Sequence, residues 1–226
     1  HQEAVDRLSQ FFSSWQDGEP HPWYPAQDSQ QAPRLQVEVK DTEQVNLCLA
    51  LKGLSGLHPQ RFTLGLLNVI LGEGMSSRLF LEIRERRGLA YEVHSYSQYF
   101  LDTGSLIVFA GVDPQKLEAA VEAILQELDR LREPISEPEV IRDREFFKGR
   151  MLLRMEDTRS VAGFLGGQQL LTQRILTIDE IIARVDAIAA AELQALAREL
   201  IVTPKLNLAL VGPGVKVERL EGLLKI

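Results

Sequence analysis

The stretch from Gln16 to Pro33 constrains this chain more than any other, because it carries Gly18, Pro20, Pro22, Pro25 and Pro33 among polar residues. Proline has no backbone N–H and its ring clashes with the preceding helical turn, so neither a helix nor a central strand runs through such a stretch. The chain is therefore divided into a short N-terminal piece and a long remainder. Ahead of the division, Val5, Leu8, Phe11, Phe12 and Trp15 recur at three- and four-residue spacing, which is one apolar face of a helix. A helix that short, held beyond an extended linker, has too little surface to fold alone. The expected organisation is a trailing helix of a preceding domain over 1–18, a linker over 19–34 and one domain over 35–226. The chain opens on His1 rather than methionine, in keeping with a processed or excised segment.

Past the linker, Leu35 to Val39 alternates apolar and polar residues with period two, and Val45, Leu47, Leu49 and Leu51 do the same, as half-buried strands do. Leu64, Leu67 and Leu71 mark a helix over 62–71, closed by Gly72-Glu73-Gly74. Ser76 or Ser77 is placed to cap a short helix carrying Leu79, Phe80 and Ile83, which Gly88 would end. Two further strands, 93–100 and 104–111, are joined at Leu101-Asp102-Thr103. Asp113-Pro114 is a helix start. Ser136 with Glu139, and Thr177 with Glu180, have the spacing of capping boxes. Helices follow over 158–172, 178–188 and 190–201, then a strand over 206–211 and a Gly-Pro-Gly turn. Neighbouring strands joined by a short turn, followed by grouped helices, predict an α+β fold: an antiparallel sheet packed on one side by helices.

Hydrophobic residues at 45% supply a full core, while a net charge of -7 and a pI near 5.2 disfavour a nucleic-acid partner. No apolar run approaches the roughly 18 residues of a membrane span. A soluble protein is expected, cytoplasmic or periplasmic, with the compartment open. Cys48 is the lone cysteine, so no internal disulfide or cysteine zinc cluster forms. His1, His21, His58 and His94 fall at no spacing that puts two on one helix face. No metal ligand set is therefore expected from this chain. The Gly72 to Ser77 segment lacks the G-K-[ST] ending of a phosphate loop and follows a helix, so it is read as the junction of two helices. No G-x-S-x-G is present, and the paired acids sit at helix starts, where they answer the helix dipole.

One stretch is dense in chemistry: Arg84-Glu85-Arg86-Arg87-Gly88-Leu89-Ala90-Tyr91. Basic groups at a helix end complement its dipole. That leaves Tyr91 unexplained, and a planar guanidinium at 84 and a phenol at 91 straddle the glycine turn, where both could converge on peptide carbonyls.

These residues, with Gln44 on a strand, Leu-Gly-Glu-Gly-Met-Ser-Ser-Arg-Leu-Phe over 71–80, Asp102-x-Gly104 and Leu210-Val211-Gly212-Pro213, resemble the M16 zinc peptidases of the pitrilysin and insulinase type. More narrowly, 35–226 resembles their C-terminal, non-catalytic domain. The resemblance implies a LuxS/metallohydrolase-like half of a clamshell. The other half, on the same chain or a partner subunit, carries H-x-x-E-H and the zinc, which activates water for attack on a peptide carbonyl. This half is implied to enclose substrate peptide through Arg84 and Tyr91, with no catalytic residue of its own and no zinc. Lacking H-x-x-E-H, the chain alone is expected to be inactive. Two copies of an isolated half would expose the surface meant for its partner, so a homodimer of the fragment is an expected side effect. The other reading is a structural or assembly subunit that resembles these peptidases without a proteolytic role. Cleavage preference is not legible from one half of a chamber.

Overall fold

Alternation of apolar and polar residues becomes strand at each place it is found: β1 (Arg34–Val39), β2 (Val45–Lys52), β3 (Ala90–Tyr99), β4 (Gly104–Val112) and β5 (Asn207–Gly212). The structure is a computed structural model. It describes the chain apart from Pro20, Pro22, Trp23, Val215 and Lys216 and the side chains of Val217 and Glu218. The linker prolines at 20 and 22 thus lie outside the described residues. The five strands form one sheet in the order β1-β5-β2-β4-β3. The β2/β4, β2/β5 and β3/β4 pairs are antiparallel. The β1/β5 pair is parallel, with Arg34 beside Asn207 and Val39 beside Gly212. The sheet is accordingly mixed rather than wholly antiparallel, since β5 returns through the long helical excursion instead of a hairpin and is free to run alongside β1.

Helices cover one face. In β2, Val45, Leu47, Leu49 and Leu51 are at most 2% exposed while Asn46 and Lys52 face outward. Burying each such side chain fully contributes about 1.5–3 kcal/mol. The covering layer comprises α2 (Arg61–Gly72), α3 (Leu117–Arg130), α4 (Glu137–Arg154), α5 (Thr158–Thr172), α6 (Ile178–Asp186), α7 (Ala190–Leu200) and α8 (Val217–Leu223), with α1 (Gln2–Phe11) ahead of them. The central helix is α2, whose Leu64, Leu66, Leu67, Ile70 and Leu71 are wholly buried; it touches β3, α4, α6 and α7. It meets β3 so closely that a Cβ on Gly72 would lie 2.6 Å from the Ser95 backbone nitrogen. By contrast, α1 buries no residue at all, and Phe11 and Trp15 are about three-quarters exposed.

Several local expectations are corrected. Neither Ser76 nor Ser77 caps a helix: the Ser77 hydroxyl donates to the Gly74 carbonyl at 2.7 Å. Phe80–Arg86 is π-helical, and its wider turn is not separable from an α-helix by side-chain pattern over so short a run. At Ser136 the capping box is absent, because the Glu139 carboxylate is held by Arg78 through two bonds of 2.8 and 2.9 Å. The Thr177/Glu180 box is present in both directions. Asp113 does cap, accepting from the Gln115 backbone nitrogen, but a 3-10 turn intervenes before α3. The C-terminal α8 was not anticipated from the sequence pattern.

The linker's second part is tied to the body. The Ala26 backbone nitrogen donates to Asp102 Oδ2, the Asp28 carboxylate accepts from both Lys52 and Lys205, and the Gln30 amide donates to the Pro204 and Leu206 carbonyls. Those two ammonium groups draw the Asp28 pKa down to about 2.

Candidate functional site

Arg84 lies in the last turn of the π-helical segment and Tyr91 is the second residue of β3. Between them the chain reverses at Gly88, whose φ of 56° is a left-handed conformation natural to glycine. A bulge between Ala90 and Glu92 then interrupts the β3/β4 register at Tyr91, the device by which a strand re-aims one side chain. The two predicted residues do meet. The Arg84 guanidinium carbon sits 4.4 Å from the Tyr91 ring centroid and 4.9 Å from that of Phe80. Aromatic rings beside its face hold the guanidinium while its N–H edges stay available for hydrogen bonds. Tyr91 is 78% exposed.

The neighbouring arginines are engaged elsewhere. Arg86 and Arg87 both bind the Glu82 carboxylate, at 3.0 and 2.7 Å, and Arg87 also donates to Gln126. Their pull, Arg87 foremost, lowers the Glu82 pKa. Arg84 has only a longer contact, 3.5 Å, to Glu85. Of the basic cluster in the sequence, Arg84 is therefore the member with donor capacity to spare.

The histidines do not converge. His94 packs its ring 5.3 Å from that of Phe109, and the His58 Nδ1 accepts from the Gln60 backbone. Among the described residues no group of three or more His, Cys, Asp or Glu side chains is placed to hold a metal ion. The described residues therefore do not fit a zinc site. Likewise no described helix is long and apolar enough to cross a membrane.

A second feature was not anticipated from the sequence: a cavity of about 1120 Å³ between α2, the end of β3, α4 and α5. Phe62, Tyr99, Phe147, Met151 and Phe164 line it, and Arg84 and Tyr91 are not on its wall. Its lining comes from segments far apart in sequence, which no local motif announces. At its rim the Glu73 carboxylate pairs with Arg150 at 3.1 Å; burial pushes the Glu73 pKa up against that pull.

The five-stranded sheet with helices on one face defines an α+β domain, with the Arg84/Tyr91 corner at the turn into β3. The chain belongs to the family described as the peptidase M16 inactive domain, whose model matches residues 1–145. A Bacillus subtilis relative named "Uncharacterized zinc protease YmxG" is 39% identical over 175 residues, 77% of this chain and 42% of its own length. The fold is shared with a protease from Helicobacter pylori, at a TM-score of 0.84 and 21% identity over 94% of this chain and 52% of that one. It is also shared with a peptidase M16 inactive domain from Pseudomonas fluorescens, at a TM-score of 0.81 and 18% identity over 95% and 52% of the two chains. This chain thus spans less than half of the curated relative's length.

Proposed function

We propose that this chain is the substrate-binding, non-catalytic half of a zinc-dependent metalloendopeptidase, which encloses and hydrolyses peptides together with a half bearing H-x-x-E-H. Zinc would sit on that other half and supply an activated water and a polarised carbonyl. The role of this half is to bind and orient. The observation that carries the reading is the stacked Arg84/Tyr91 pair: a guanidinium clamped between aromatic rings, with free N–H edges beside an exposed phenol. Such a pair suits peptide carbonyls, which accept hydrogen bonds and carry no charge to be matched. A subunit with a purely structural or assembly role has no chemical use for an exposed pair of this kind, so the peptidase reading is preferred.

The domain division is part of the same proposal. The α1 sequence Val5-Asp6-Arg7-Leu8-x-x-Phe11-Phe12 matches Val217-Glu218-Arg219-Leu220-x-x-Leu223-Leu224 at the other end of the chain. There α8 packs on α3 and β1, with Leu220 and Leu224 buried. By this correspondence α1 is the α8 of a preceding half, and its exposed apolar face belongs on that half's sheet.

The test is turnover of a peptide by the enzyme reconstituted with the H-x-x-E-H half. Arg84→Ala is expected to lower kcat/KM by about tenfold to a hundredfold, the equivalent of one lost charge-assisted hydrogen bond. Tyr91→Phe should lower it less. Zinc content and Tm stay as in the parent. Unchanged kcat/KM in both variants would sink the assigned role.

A further inference from the structure

The cavity beneath α5 joins three features that separately mean little. Its walls are apolar, with Phe62, Phe147, Met151 and Phe164 facing the same space. In its lining lies Asn68, 4% exposed, whose Oδ1 has no hydrogen-bond partner. A buried acceptor left unpaired costs about 1–3 kcal/mol, so the fold carries here a polar atom that a donor from outside would satisfy. Third, the rim is basic although the chain is acidic overall. Arg61, Arg150 and Arg154 face Glu73 and Asp102, and both acids are engaged, Glu73 by Arg150 and Asp102 by the Ala26 nitrogen. Arg61 starts α2 with its guanidinium 4.5 Å from the Phe62 ring centroid, and Arg184 lies over the same ring at 5.7 Å. Burial and that second guanidinium lower the Arg61 pKa. An anion at the mouth would relieve the crowding of like charges.

One wall of the space is formed by α5. Gly163 and Gly167 lie one turn apart on its cavity side, and a Cβ on either would meet nothing within 4 Å. A larger side chain at either position would therefore reach into the space without displacing a neighbour, and glycine inside a helix costs about 1 kcal/mol relative to alanine.

We propose that this cavity binds a peptide through a large apolar side chain that lies next to a carboxylate, the apolar group between α2 and α5, an amide N–H on Asn68 Oδ1, and the carboxylate on Arg61 and Arg154. The proposal rests on the peptide-binding reading above and extends it to a second contact, separate from Arg84 and Tyr91.

The experiment measures fluorescence anisotropy of this chain with a labelled peptide ending in Leu-Phe-Glu, beside the same peptide ending in Leu-Phe-Gln amide and one ending in Ala-Ala-Glu. The first is expected to bind, and each control to bind at least about tenfold more weakly, through loss of charge-assisted bonds or of apolar burial. Gly163→Leu and Gly167→Leu fill the space and should weaken the first peptide at least about tenfold with Tm held or raised. Arg61→Gln should remove the preference for the carboxylate while keeping the preference for phenylalanine. Wild-type affinity in both leucine variants, equal binding of all three peptides, or no binding by the parent chain overturns the proposal. Should Arg84→Ala lower turnover in the reconstituted enzyme while the leucine variants bind the peptide unchanged, the cavity assignment fails and the substrate-binding role of the half stands.

Discussion

Three arginines within four positions meet two different fates. Arg86 and Arg87 share one carboxylate, whereas Arg84 is stacked between Phe80 and Tyr91. The sequence shows the density of charge at 84–87 but not this division, which depends on Glu82 lying one turn back and on the re-aimed Tyr91. Asp28 is a second case in which one residue's setting has a measurable consequence. Its pKa is lowered to about 2 by Lys205 and Lys52, so it contributes stability above the unfolded value of about 3.9 and loses it as pH falls through about 2. Asp28→Asn is expected to unfold at lower urea than the parent at pH 6. The gap should close as the pH falls from about 4 to about 2, and a gap independent of pH would refute the ion-pair account. Nothing at 26–30 announced this tether. Its partners, Asp102, Pro204 and Lys205, lie far along the chain, and spacing rules see only near neighbours.

Elements show where local reading succeeds. The Thr177/Glu180 box is self-contained, so three-residue spacing determines it; the same spacing at Ser136 fails because Arg78 offers Glu139 a bidentate partner from another element. The pair joins the start of α4 to the segment after α2, with each side chain about four-fifths buried. Glu139→Gln should therefore destabilise the chain by about 1.5–3 kcal/mol in urea unfolding, the range for a hydrogen bond to a charged group. A change under about 0.5 kcal/mol would place the pair among ordinary surface ion pairs. Helices at the two ends make a matched control. Leu8→Ala on α1 should change stability by less than about 0.5 kcal/mol, as at an exposed site, whereas Leu220→Ala on α8 should cost about 2–5 kcal/mol. On the proposed domain division, Leu8→Ala should become costly too once a preceding half is joined to the chain. If Leu8→Ala is as harmful as Leu220→Ala in this chain alone, α1 already belongs to this domain.

At the scale of the molecule, strand positions and the grouping of helices were legible because period-two and period-3.6 patterns report which face meets the core. The cavity was not, since its walls come from α2, β3, α4 and α5 and its floor from an asparagine that reads as an ordinary core-helix residue. The parallel direction of β1 against β5 also escaped a reading based on neighbouring strands. That pairing bears on how the chain comes to be folded. β3 and β4 join through a short connection and β2 reaches β4 across α2 and the π-helical segment, but β1 meets its partner only when residues near the C-terminal end of this segment arrive, after every helix from α2 to α7 has been made. Contacts between distant parts of a chain form slowly, because the loop they close must first be ordered. Until β5 inserts between β1 and β2, both strands wait with unpaired edges. The last strand is the piece that completes the sheet, and during synthesis the interval before its arrival is when this chain is most open to pairing with another copy of itself.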